Sequence, residues 1–171
     1  MKTTTRVLLA ALLCTAAVAC SKKVKEEPPA DTGPSTGTVA PTGPATAGAY
    51  TPADLDSDAC LRQRVVYFDL DQDTLRPEFQ AIIACHAKYL RDRNSSRISL
   101  EGHADERGSR EYNQGLGERR GNGVSSALQA NGGSAAQLAV VSYGEERPVC
   151  TESNEDCWAR NRRVEIIYTA R

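Results

Sequence analysis

Six prolines fall between Pro28 and Pro52, interleaved with glycine, threonine and alanine, and this run decides how much of the chain can fold. From Ser21 to about Asp58 no hydrophobic periodicity is present, and such a composition cannot bury a core. Residues 20–58 therefore read as a flexible tether. As a coil it averages roughly 35 Å end to end, and stretched it reaches on the order of 120 Å. What remains for a core begins near Cys60 and runs to the end, residues 59–171. That is about 110 residues, enough for one modest domain.

Ahead of the tether, Met1-Lys2 to Arg6 is basic and Val7 to Ala19 is apolar apart from Thr15. This apolar stretch is too short to cross a bilayer, so residues 1–19 read as a signal peptide. Cys14 lies inside the apolar stretch behind Leu13. Cys20 follows Ala17-Val18-Ala19 and resembles the lipidated cysteine of bacterial lipoproteins. Cleavage before Cys20 removes Lys2 and Arg6 and takes the formal charge from −1 to about −3. Nothing in that balance points to bulk binding of nucleic acid.

The other four cysteines, Cys60, Cys85, Cys150 and Cys157, lie in a domain that the signal sequence exports. An oxidising compartment makes disulfides the default, and zinc the rival. No CxxC is present, and the gap between Cys150 and Cys157 is wide for a zinc knuckle. Those two bracket a polar loop, Thr151 to Asp156, which suits a local staple. Cys60 then pairs with Cys85, tying the domain's entrance to its first helix.

Arg64 to Leu70, RVVYFDL, is rich in branched and aromatic residues and predicts a strand. Pro77 suits a first helical turn, and Phe79, Ile82, Ile83, His86 and Leu90 trace an amphipathic stripe to about Arg91. His86 lies on that stripe and reads as a packed residue at the edge of the core. Arg97 to Gly102 alternates as a half-buried strand. A second helix runs from about Arg110 to Ala130 and stops at Asn131-Gly132-Gly133. Gln137 to Ser142 and Arg163 to Thr169 are strands, and Glu155 to Asn161, with the only tryptophan, Trp158, is a short helix. The order β-α-β-α-β-(α)-β indicates an α+β domain in two layers, with helices on one face of a four-stranded sheet. Four glycines in the second helix, Gly115, Gly117, Gly121 and Gly123, each cost roughly 0.5–1 kcal/mol relative to alanine. Close packing on the sheet accounts for some of them.

The stretch Glu101 to Arg120, EGHADERGSREYNQGLGERR, is the candidate site. A strand runs into a polar loop and the loop into a helix, whose first amides favour anions. Asp105 on the loop and Arg120 on the helix can fold back on each other. Together they offer poles for a ligand carrying both an ammonium and a carboxylate. A guanidinium presents two parallel donors to a carboxylate, which lysine does not.

VVYFDLDQDTLRPE, EGHADERGSREYN, LGERR, VSYGEERP and NRRVEIIY together resemble the OmpA-like peptidoglycan-binding domains, over about Arg64 to Tyr168. Signal, lipid-attachment cysteine and tether fit the lipoprotein members of that family. The resemblance implies an OmpA-like two-layer fold with a mixed sheet. It also implies non-covalent binding of the diaminopimelate residue of peptidoglycan stem peptides, with no cofactor. Further implications are an anchor on the periplasmic face of the outer membrane and partnership with the Tol system, including its periplasmic propeller. By resemblance, Asp105 meets the ligand's ammonium and Arg120 forks onto its carboxylate. Leu70 and Asp71 line the same pocket, and Gly102, His103, Ala104 and Arg107 belong to the loop that wraps it.

One alternative comes from a different class, a peptidoglycan hydrolase or amidase using His103, Asp105 and Glu106 around a metal. It lacks a third strong ligand, and no nucleophile elbow of the G-x-S-x-G kind exists here.

Overall fold

The computed structural model describes residues 48–171. The signal segment, Cys20 and the proline-rich run up to residue 47 lie outside the described residues. Four strands form one mixed sheet in the order β1-β4-β2-β3. They are β1 (Val65–Tyr67), β2 (Arg97–His103), β3 (Leu138–Gly144) and β4 (Arg163–Ala170). β4 runs antiparallel to both β1 and β2, and β2 runs parallel to β3.

Two long helices cover one face. A 3₁₀ turn, Pro77–Phe79, leads into α2 (Gln80–Asp92), and α3 (Arg110–Ala130) links the parallel pair β2 and β3. The apolar stripe of α2, through Ile82, Ile83, Ala87 and Leu90, meets Val124 and Leu128 of α3 and Val66, Ile98, Leu100, Val164 and Ile166 of the sheet. Every second residue of β2 and β4 faces that core, as the strand period requires.

α3 begins and ends where its local chemistry directs. Ser109 caps it by accepting a bond from the Tyr112 amide, and Gly132 follows its end with a φ of +93°. Two of its four glycines are explained by contact. A Cβ on Gly117 would lie 2.9 Å from the Gly102 carbonyl oxygen, and one on Gly121 only 2.6 Å from Val140. A Cβ on Gly123 would lie 3.1 Å from the Asp73 carbonyl oxygen, and one on Gly115 would meet only the Arg119 guanidinium at 3.4 Å. Nothing in the structure requires glycine at Gly115.

Two expectations need correction. The first strand pairs only over Val65–Tyr67, not to Leu70, because Asp69 to Gln72 turns and Asp71 adopts φ 58°. Aspartate is among the few residues that tolerate this left-handed conformation. The packed domain also begins before Cys60, ahead of the expected boundary at residue 58. Residues Asp54–Ser57 form a one-turn helix, α1, and Tyr50 and Leu55 are buried with Leu61, Cys85 and Tyr89 in a second cluster. The Tyr50 amide donates to Asp92 at the end of α2, which seats the segment on that helix.

Both disulfides have the expected pairing. Cys60–Cys85 joins this entrance to α2, and Cys150–Cys157 closes the loop before the short helix α4 (Glu155–Asn161). His86 is buried, with Nδ1 2.7 Å from the Tyr168 hydroxyl and Nε2 2.9 Å from the Gln63 carbonyl.

Candidate functional site

The turn after β1, the loop after β2 and the first half of α3 converge on a cleft of about 400 Å³. Asp105 and Arg120 both line it, as do Leu70, Asp71 and Arg107. The sequence also missed three wall residues, Tyr112, Asn113 and Leu116, one helical turn or more before Arg120.

Arg120 is fully buried, yet its charge is supported. Nε donates to the Gln72 carbonyl at 2.8 Å, Nη1 to that of His103 at 2.8 Å, and Nη2 to that of Asp69 at 3.1 Å. Burial, and then the neighbouring Arg162, lower its pKa to about 10, so it stays cationic at neutral pH. A guanidinium has five N–H groups. One on each terminal nitrogen therefore has no acceptor among the described residues. Two donors on one guanidinium are what a carboxylate can accept.

Asp105 is 5% exposed. Its Oδ1 accepts from the Arg107 backbone N at 3.0 Å and Nε at 3.1 Å, and Oδ2 from Arg107 Nη2 at 2.8 Å and Arg162 Nη1 at 3.2 Å. Burial alone would raise its pKa. The bonds from Arg107 and Arg162 outweigh that and hold it below the usual carboxylate range. Arg162 is the residue of this group least visible in sequence. It lies at the junction of α4 and β4, 57 residues from Asp105. Only its place beside the β1–β4 edge, where Nε donates to the Phe68 carbonyl, brings it to the site.

Asn113 fixes the loop to α3, donating to the carbonyls of Asp105 at 3.1 Å and Arg107 at 3.2 Å. The Tyr112 hydroxyl donates to Asp71. From α4 and the disulfide loop, Ser153 Oγ and Trp158 Nε1 both donate to Glu106, at 2.7 and 3.0 Å.

Three of the expected residues sit elsewhere. Gly102 and His103 belong to β2 rather than to the loop. Gly102 faces α3, where an added Cβ would meet the Gly117 carbonyl oxygen at 2.0 Å. His103 turns its ring away from the cleft to stack on Tyr143, and only its carbonyl reaches Arg120. Ala104 lines a neighbouring groove with Glu145 and Asn161. The three residues of the metal-centred alternative have separate partners. The His103 ring stacks on Tyr143, Asp105 accepts from Arg107 and Arg162, and Glu106 accepts from Ser153 and Trp158. Among the described residues they form no metal-ligating group.

The sequence profile of the OmpA family matches residues 67–162, more than half of the chain. The chain belongs to the OmpA family. A peptidoglycan-associated lipoprotein of Pseudomonas putida is 50% identical over 113 residues, covering 66% of this chain and 68% of that protein. One of Pasteurella multocida is 34% identical over 168 residues, 98% of this chain and all of that protein. The crystal structure of the peptidoglycan-associated lipoprotein from Burkholderia pseudomallei superposes with a TM-score of 0.66 at 39% identity, over 68% of this chain and 98% of that one. The C-terminal domain of Helicobacter pylori MotB, at 22% identity and a TM-score of 0.58, shares the fold. The Pseudomonas, Pasteurella and Burkholderia relatives all carry the name peptidoglycan-associated lipoprotein.

Proposed function

We propose that this chain is an outer-membrane lipoprotein, anchored through Cys20 on the periplasmic face, that holds peptidoglycan non-covalently by the diaminopimelate of its stem peptides. It would work there with the Tol system in keeping the envelope joined, including during division. The observation that carries the reading is that Asp105 and Arg120 line one cleft, an acid together with a guanidinium that keeps two uncommitted donors among the described residues. The free side-chain end of diaminopimelate carries an ammonium and a carboxylate on one carbon, and so presents the complementary pair. The names of the relatives agree with the polymer.

Calorimetric titration of a diaminopimelate stem peptide tests it. Arg120→Ala leaves the ligand carboxylate unmatched and is expected to cost about 2–5 kcal/mol of binding, roughly thirty-fold or more in affinity. Asp105→Ala should act similarly. The double variant should lose less than the sum, because one ligand bridges both poles. Arg120→Lys keeps the charge and loses the fork, so it should bind weakly while still folding. Arg119, whose Nε pairs with Asp73 on the exposed side of α3, is the control. Near-native binding by both alanine variants removes this site. So does equal affinity for a lysine-containing stem peptide, which lacks the terminal carboxylate. A mature N-terminus other than an acylated Cys20, found by mass spectrometry, removes the anchor.

A further inference from the structure

A carboxylate accepts about four hydrogen bonds, two at each oxygen. The protein itself makes all four to Asp105, three from Arg107 and one from Arg162. An ammonium arriving at Asp105 must therefore displace a donor, and the four are not equally held. The Arg107 backbone N–H is fixed by the loop. Arg162 is 5% exposed, and its remaining nitrogens are committed to the Phe68 carbonyl and to Glu155. The Arg107 guanidinium is different. Its side chain is 32% exposed and it lines the cleft, which Arg162 does not. It also already touches a second set of partners that remain if Asp105 is given up: Glu155 Oε2 is 3.6 Å from Nη1, and the Trp158 ring centroid is 4.1 Å from its Cζ.

We propose that Arg107 is a resident cation of the cleft. Its guanidinium occupies the place of the ligand's ammonium, and binding exchanges one cation for the other while Arg107 gives up Asp105 and settles more closely on Glu155 and the Trp158 face that it already touches. This rests on the diaminopimelate reading above. The exchange never strands Asp105 as a buried, uncompensated charge, which would be costly. It also sets a selectivity. A ligand bringing only an ammonium swaps one cation for another and gains little. A ligand that also brings a carboxylate to Arg120 gains the second contact outright. Asp105 recognises charge, and Arg107 makes that recognition conditional on the other pole.

Trp158 is the only tryptophan in the chain, so its fluorescence reports where Arg107 lies. The full mature chain is titrated with a diaminopimelate stem tripeptide and separately with lysine amide, followed by calorimetry and tryptophan emission. Wild type should change its emission on saturation with the tripeptide and barely bind lysine amide. Arg107→Gln should bind the tripeptide about fivefold more tightly, the size of one partly exposed ion pair. It should lose the emission change and gain measurable affinity for lysine amide. Arg107→Lys, which restores a cation, should return towards wild type. Weaker tripeptide binding by Arg107→Gln than by wild type overturns the exchange and makes Arg107 a ligand contact. So does an emission change that survives the substitution. If neither wild type nor Arg107→Gln takes up the tripeptide, the ligand assignment itself fails and the exchange falls with it.

Discussion

Where the chain enters the domain, Tyr50, Leu55, Leu61, Cys85 and Tyr89 are buried against one another, with His86 beside them. Around the cleft the buried polar groups are Asp105, Asn113, Arg120 and Arg162. The first region is stabilised by removal of apolar surface, about 1.5–3 kcal/mol for each large side chain. The second is held by hydrogen bonds that tie each charged or amide group to its neighbours, with about 1–3 kcal/mol lost for each group stranded when a partner is removed. The difference teaches where substitutions should be felt. A change at the entrance lowers stability and leaves ligand chemistry alone. At the cleft each residue holds another, so a single change alters both.

The Cys60–Cys85 bond offers the largest separation of the two effects. It closes a sequence separation of 25, which the chain-entropy account values at about 3.5 kcal/mol. Replacing both cysteines by alanine should lower the unfolding free energy in denaturant by that order and leave stem-peptide affinity unchanged. A fall in affinity would show that entrance and cleft are one mechanical unit.

Acid should act next. Burial is the largest influence on His86 and lowers its pKa to about 4 from 6.5; the nearby Arg64 lowers it further, against the Gln63 carbonyl. The unfolded chain therefore takes up this proton first as pH falls. The contribution is fully present above pH 6.5, is lost progressively down to about pH 4, and changes no further below that. At about 1.4 kcal/mol per unit the loss totals about 3 kcal/mol. His103 is also lowered to about 4, by burial and then Arg163. Urea unfolding from pH 7.5 to 4 should therefore show a falling stability. His86→Gln and His103→Gln should each flatten part of the slope, and an unchanged slope in both would refute the assignment.

The smallest expected effect falls at the other disulfide. Cys150–Cys157 spans a separation of 7, worth about 2.4 kcal/mol on the same account. Its loop also carries Ser153 and Glu155, which hold Glu106, Arg107 and Arg162. Removing it should cost less stability than removing Cys60–Cys85, yet alter stem-peptide affinity. Removal without any change in affinity would erase the contrast between the two ends.

What could be read beforehand follows the same division. α3 runs from Arg110 to Ala130 as its sequence indicated, because the Ser109 cap and the Asn131-Gly132-Gly133 stop are local signals. Tyr50 and Leu55 were invisible because each is an isolated apolar residue next to a proline-rich run, and much of what buries them, Cys85 and Tyr89 of α2, is 30 or more positions away. Asp105 and Arg120 stood out as charges flanking one loop. Arg162 and Asn113 did not, since what matters is their reach to a neighbouring strand and to loop carbonyls. The glycines were puzzling in sequence because helix propensity counts all four alike, whereas contact with β2 and β3 singles out Gly117 and Gly121.

The position of Cys60–Cys85 has a mechanical consequence. Everything from residue 61 to 84 lies inside the covalent loop, including the three-residue strand β1 and the carbonyls of Asp69 and Gln72 that grip Arg120. Tension applied to the chain ahead of Tyr50 would pass through sulfur directly into α2, a thirteen-residue helix seated in the core. It would not run along β1, which a pull could peel from β4 one residue pair at a time. The wall of the cleft formed by residues 69–72 is thus shunted out of the line of force, and a domain tugged from its N-terminal side can keep its grip while it is being pulled.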